Sequence, residues 1–298
     1  MERQHRAAHR RPGRHRGVAL RIRHGGSGAP RQRLPHQLPD PARLRRPHRR
    51  PGRHRVHRDD RLHAPGQRGR RTQPAPAGSL VAYGSSVVDG TGSTNCGPDC
   101  SRPGADLRWT DDLARRITSE LPPNRQFAVA NAGIGGTTSA ATCPGIGDSV
   151  RGLDAAARLE RDVLSLHGVT GVLYYYGTND LPAGCDAARI EASYREVFQR
   201  LRAAGIKVYV TPITPRPGYT DQHNRDRHAV GTFVSKWNSC GGTCDGILPF
   251  DQVLEDPVRP NSINPLYDTG DGVHANIAGQ QALADIVSLP MLAASARR

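Results

Sequence analysis

Gly171-Val-Leu-Tyr-Tyr-Tyr176 runs without a break into Gly177-Thr-Asn-Asp180. An uncharged apolar and aromatic run stopped by a glycine is the pattern of a strand buried on both faces. The polar turn behind it is where backbone and side chains can meet a ligand. The same two-part pattern occurs twice upstream. Ser79-Leu-Val-Ala-Tyr83 runs into Gly84-Ser85-Ser86, and Phe127-Ala-Val-Ala130 runs into Asn131-Ala-Gly-Ile-Gly-Gly136. Ile206-Lys-Val-Tyr-Val-Thr211, stopped by Pro212, and Gly246-Ile-Leu-Pro-Phe250 read as strands four and five.

Amphipathic stretches separate these strands. Trp109–Leu121 carries apolar residues at 109, 113, 117 and 121, a helical spacing with charges opposite. Leu153–Leu166, Ala187–Ala204 (ended by Gly205), Arg225–Trp237 and Asn276–Ser288 read as further helices. Strand–helix alternation of this kind predicts an α/β fold with a five-stranded, mostly parallel sheet between two helical layers. Right-handed crossovers put the carboxyl ends of parallel strands on one edge, which is where open α/β sheets bind ligands. The first three motifs therefore meet at that edge.

Composition divides the chain. Residues 1–78 hold 22 arginines, no lysine and four acids, a formal charge of +18, and neither Phe, Tyr, Trp nor Cys. Residues 79–298 carry −3, so the whole-chain +15 describes no domain. The first segment lacks any helical or strand periodicity and reads as disordered. A nucleic-acid-binding arm would mix lysine with arginine and interleave aromatic residues; a targeting peptide needs an apolar core. We read the segment instead as a GC-rich gene translated from a wrong start or in the wrong frame, and expect no nucleic-acid partner. Residues 79–298 suit one domain with a sizeable core, and no run is long enough for a transmembrane helix.

All six cysteines lie in 79–298, which points to disulfides and an oxidising, extracellular location. Cys96-Gly-Pro-Asp-Cys100 and Cys240-Gly-Gly-Thr-Cys244 can each close on themselves, leaving Cys143 with Cys185. Six cysteines allow fifteen pairings, so other connectivities stay open. Zinc is set aside, because the spacings are not C-x-x-C and no histidine sits close by.

Ser86, just past a strand, can expose its hydroxyl, but serine needs a base to be a nucleophile. Taken alone, a serine there is a turn or cap residue. Asp271-Gly-Val-His274 supplies an imidazole with a carboxylate three residues earlier, able to fix its tautomer. His167, His223 and His228 have no aspartate at that offset. A tetrahedral intermediate also needs preorganised donors. The Asn179 amide, the Gly136 N–H and the Ser86 N–H can serve. The loop 212–224, with Arg216 and Tyr219, is expected to line the substrate pocket.

In this order the motifs resemble the SGNH (GDSL-type) hydrolase family over most of 79–290. Ser86 matches the nucleophile of its first block, Gly136 the glycine of the second, Asn179 the asparagine of the third, and Asp271 and His274 the Asp-x-x-His of the last. Two positions depart from the family pattern: Ser85 stands where aspartate is usual, and Ala275 where proline is usual. The resemblance implies a flavodoxin-like three-layer sandwich and a serine esterase, lipase or thioesterase without metal or organic cofactor. Its substrates would be small-molecule or polysaccharide esters. Because the 212–224 loop is polar, short acyl or carbohydrate O-acetyl esters are expected over long-chain lipids. The alternatives are a lipase of the same family and a non-catalytic binding domain on the same fold.

Overall fold

A computed structural model describes residues 77–93, 102, 104–235 and 237–295. The arginine-rich segment up to residue 76 and the Cys96/Cys100 pair lie outside the described residues.

Five strands form one sheet, all parallel, in the order β2-β1-β3-β4-β5. They are β1 (Ser79–Gly84), β2 (Ala128–Gly133), β3 (Val169–Tyr175), β4 (Lys207–Val210) and β5 (Gly246–Ile247). The helices are α1 (Ser86–Asp89), α2 (Trp109–Glu120), α3 (Ala155–Leu159), α4 (Ala187–Ala203), α5 (Asp221–Val234), α6 (Ser239–Gly242), α7 (Phe250–Leu254), α8 (Ile277–Ile286) and α9 (Leu289–Ser295).

The strand period of two divides the core into two halves. Val81, Tyr83, Val172, Tyr174 and Tyr176 point into one cluster with residues of α3, α4 and α5. Leu80, Ala82, Leu173 and Tyr175 point into the other with residues of α2, α7, α8 and α9. Helices therefore cover both sheet faces, and the three-layer expectation holds. The first half is aromatic: Tyr174 meets Tyr194 and Phe198 edge-on at 5.0 and 4.9 Å, pairs worth about 0.5–1.5 kcal/mol each beyond area burial.

Element ends differ from the sequence reading for local reasons. β2 begins at Ala128 and continues to Gly133, so Asn131 belongs to the strand. There its amide donates to Val88 O at 2.6 Å and Thr110 Oγ1 at 3.0 Å, a structural role. The 153–166 helix starts at Ala155, because Asp154 accepts from the N–H groups of Ala156 and Ala157. It then widens into a π-helical turn over Glu160–Leu164. α5 starts four residues earlier than its pattern, since Thr220 and His223 form a capping box there. The fifth strand is cut to two residues: Pro249 has no N–H for a ladder, and Phe250 opens α7 instead.

Disulfides join Cys143 to Cys185 and Cys240 to Cys244, as expected. No helix among the described residues is long and apolar enough to cross a membrane.

Candidate active site

The tight crossing from β1 into α1 puts Ser86 at the first position of a four-residue helix. A residue there has no intrahelical acceptor for its N–H, which leaves that donor outside the helical ladder. Ser85 is the N-cap and is buried, its hydroxyl without a protein partner.

His274 reaches this serine from the loop before α8. Its Nε2 lies 2.8 Å from Ser86 Oγ, and its Nδ1 lies 2.5 Å from Asp271 Oδ2. The other Asp271 oxygen accepts from the N–H groups of Val273 and His274, at 2.8 and 2.9 Å. Burial pushes the Asp271 carboxyl up, but the His274 ring and these two amides outweigh it and hold it down at about 2. Asp271 is thus an anion throughout the neutral range, with a hydrogen-bond geometry that leaves Nε2 to accept from the serine hydroxyl. The tautomer follows from that arrangement.

Two further strands of the sheet end in turns at the same edge, and a Cβ on Gly135 in the first of them would lie 3.8 Å from the Ser86 Cβ. After β2 the chain turns through Gly135 and Gly136; Gly136 has φ +79°, a conformation that favours glycine. After β3 comes Asn179, whose Nδ2 donates to Thr137 O at 2.9 Å. One amide hydrogen is used by that bond, which fixes the plane of the amide and leaves the second hydrogen for another acceptor. Gly136, Asn179 and Arg216 line one cleft of about 240 Å³, with Ile146, Pro182 and Ala183 among its other walls. Of the two loop residues expected at the pocket, Arg216 is there and Tyr219 is not. Tyr219 is buried, and its hydroxyl donates to Thr178 O at 3.1 Å; its ring needed cover and its OH needed an acceptor, and the core supplies both.

Three residues that shape the site carried no role in the sequence reading. Asp180 is fully buried and accepts from Ser139 N, Ser139 Oγ and Ala140 N at 2.8–3.0 Å. Together with the Cys143–Cys185 bond it clamps the segment after Gly136 onto the end of β3. Arg158, buried under the sheet, donates from Nη2 to Ala132 O at 2.5 Å and approaches Gly84 O at 3.4 Å, joining the ends of β1 and β2. Its charge is met by Asp162, 3.1 Å away, and by the Tyr83 ring face. Gln280 of α8 donates to Ala275 O and accepts from Trp109 N, tying the residue after His274 to the start of α2. A signal for Gln280 existed: it is the polar member of an otherwise apolar buried face with Leu283 and Ala284.

Cys143, Cys185 and Asp180 are also near enough to suggest a metal cage, but the two sulfurs are joined to each other and cannot act as thiolate ligands.

The fold is shared with solved esterases of low sequence identity. An aryl esterase from M. smegmatis superposes with TM-score 0.53 at 16% identity, over 70% of this chain and 95% of that one. A carbohydrate acetylesterase from Sinorhizobium meliloti gives 0.51 at 15%, over 70% and 94%. An acetyl xylan esterase gives 0.50 at 20%, over 70% and 96%. No curated protein matches the chain in sequence. The GDSL-like Lipase/Acylhydrolase family matches residues 82–282. Most of the chain is covered by that match, and the chain belongs to the GDSL-like lipase/acylhydrolase family of carboxylic ester hydrolases.

Proposed function

We propose that the chain hydrolyses short acyl esters, including O-acetyl groups on carbohydrates, through an acyl-enzyme on Ser86. The observation that carries this reading is the unbroken hydrogen-bond chain Asp271–His274–Ser86. His274 Nε2 takes the hydroxyl proton as Ser86 Oγ attacks the acyl carbonyl, and Asp271 stabilises the imidazolium that forms. The Ser86 and Gly136 N–H groups and the free hydrogen of Asn179 receive the oxyanion. His274 then returns the proton to the leaving alcohol. Water, activated by the same imidazole, releases the acid and restores the serine. The residues ask for neither a metal nor an organic cofactor in this sequence of steps.

The small cleft supports short acyl groups over the lipase alternative. At about 240 Å³, with glycines, Thr138 and Arg216 in its walls, it offers little apolar surface to a long chain. Three solved relatives, an aryl esterase, an acetyl xylan esterase and a carbohydrate acetylesterase, favour the same class. Two disulfides favour an oxidising, extracellular setting. We place the functional domain at 79–298 and assign no chemical role to residues 1–78.

A chain-length series of p-nitrophenyl esters tests the reading. Acetate and propionate are expected to turn over fastest, with a steep fall beyond short chains, and Ser86→Ala is expected to abolish turnover with an unchanged circular dichroism spectrum. Turnover that survives in Ser86→Ala sinks the mechanism. A fluorophosphonate probe that fails to label the wild type would favour a non-catalytic binding domain.

A further inference from the structure

A second, larger cleft opens on the same sheet edge. It measures about 510 Å³ and lies between α5 and α7, floored by Pro212 and Ile213 just past β4 and by Ile247 at the end of β5. Its place is set by the topology. From β1, which delivers Ser86, the sheet steps through β3 to β4 and β5. At roughly 5 Å per strand the cleft lies on the order of 10–15 Å from the serine. The segment from Pro212 to Arg216 runs from one cleft to the other. Ile213 packs onto Gly177 so closely that a Cβ there would sit 2.5 Å from it, and Arg216, four residues beyond Pro212, lines the first cleft.

The lining is mixed in chemistry. Arg227 is 4% exposed, its Nη2 held by Asn261 Oδ1 at 3.0 Å, while its Nε has no protein partner. Asp251 also lines the cleft, and its Oδ1 has no protein partner either. Unpartnered buried donors and acceptors of this kind are costly and uncommon. Gln252 and Thr232 add neutral polar groups, and Trp237 stands at the rim with 96% of its surface exposed. A fully exposed tryptophan beside a polar cleft offers a flat apolar face that the fold itself does not use.

Three ligand classes can be weighed. An alkyl chain would strand Arg227 and Asp251. An anion would suit Arg227 but meet the Asp251 carboxyl. A neutral ring bearing several hydroxyls suits all of them: each hydroxyl both donates and accepts, and the C–H face of the ring can stack on an indole. We propose that this cleft is a glycosyl subsite, holding a sugar unit distant from the ester being cleaved at Ser86. The proposal rests on the carbohydrate-ester reading above and names where the rest of the chain lies. Binding energy from a remote unit would then orient the acetylated sugar at the serine.

Trp237 makes the test clean, because the only other tryptophan, Trp109, is buried. Titrating the Ser86→Ala protein with unacetylated xylotetraose or cellotetraose is expected to change the emission of Trp237 saturably. Trp237→Ala should remove that response. In an active background, Trp237→Ala and Gln252→Ala should each lower the ratio of kcat/KM for acetylated xylotetraose to that for p-nitrophenyl acetate, the former by about fivefold to tenfold, acting through KM. Both substituted side chains are exposed, so folding is not at stake. No emission change with either sugar, or an unchanged ratio in Trp237→Ala, overturns the subsite. Failure of the esterase reading looks different: the wild type would then hydrolyse neither ester, and the emission titration alone would still decide the cleft.

Discussion

Two aspartates, Asp180 and Asp271, hold the two sides of the site in opposite ways. Asp180 has no exposed surface and accepts its hydrogen bonds from Ser139 and Ala140, some 40 residues away in sequence. Asp271 is about half exposed, its side chain at 49%, and bonds only within its own turn, to Val273 and His274. The side proposed to receive the oxyanion is therefore fastened by a buried network that spans distant segments, and the side proposed to carry the base by a short local loop. Damage on the first side should spread into the fold. Damage on the second should stay in the chemistry.

The largest expected effect sits on the local side. Asp271→Asn should lower turnover of p-nitrophenyl acetate by roughly 10³- to 10⁴-fold, because the imidazole loses its orienting anion, while the melting temperature falls only slightly, the half-exposed carboxylate contributing little to stability. A large drop in melting temperature would break the contrast. Asn179→Ala comes next, with roughly 10²- to 10³-fold lost in kcat for a single oxyanion donor and little change in KM. Asp180→Ala reverses the pattern. It leaves buried N–H groups of Ser139 and Ala140 without acceptors, so unfolding in urea should show a loss of roughly 3 kcal/mol or more, with turnover falling as a consequence. Asp180→Asn keeps one acceptor oxygen and should recover part of both.

The contrast also explains what was legible in the sequence. Ser86, Gly136, Asn179, Asp271 and His274 stood out as candidates because each sits in a turn behind an apolar run or in a short spaced motif, and turn chemistry is local. The alternating burial of Val81 and Tyr83 against Leu80 and Ala82 was likewise written in the strand itself. Asp180 and Arg158 were not legible as supports. Asp180 stands in plain view beside Asn179, but nothing within ten residues shows that it is aimed at Ser139. Arg158 reads as the charged side of an amphipathic helix, and only the folded sheet shows that it enters the core beneath Ala132 and Gly84. The burial of Tyr219 was not legible for the same reason: its neighbours in the loop are polar, and its hydrogen bond to Thr178 O is a tertiary fact. β5 was drawn too long because Leu248 is apolar enough for a strand, although it packs below α7.

Gln280 lies between the two regimes. It couples the His274 loop to α2 through Ala275 O and Trp109 N, and it is buried. Gln280→Leu fills nearly the same space but strands both backbone groups, at about 1–3 kcal/mol. Activity should fall modestly, and the fall should exceed what the unfolded fraction accounts for, since the carbonyl lost is the one next to the base. A loss of activity equal to the unfolded fraction would make Gln280 a core residue only.

The smallest effect is in the pH dependence of stability, where the two aspartates should have opposite signs. Burial pushes the Asp180 carboxyl above the ordinary range, against the hydrogen bonds from Ser139 and Ala140 that lower it. Its folded form takes up a proton at higher pH than its unfolded form, so its contribution becomes more favourable as pH falls towards the unfolded value near 3.8. Asp271 is held at about 2 in the fold against 3.8 when free. Its contribution is fully present above the unfolded value and is lost as pH falls from there through about 2. Urea midpoints measured from pH 7 down to 2 for the wild type, Asp180→Asn and Asp271→Asn separate the two. The Asp180→Asn difference should change only above about pH 4, and the Asp271→Asn difference only below it. Because Asp271 is half exposed, salt should shrink its part and leave that of Asp180 intact. Equal salt sensitivity of the two differences would mean that both carboxylates see solvent alike, and the distinction between a buried clamp and an exposed local turn would fail.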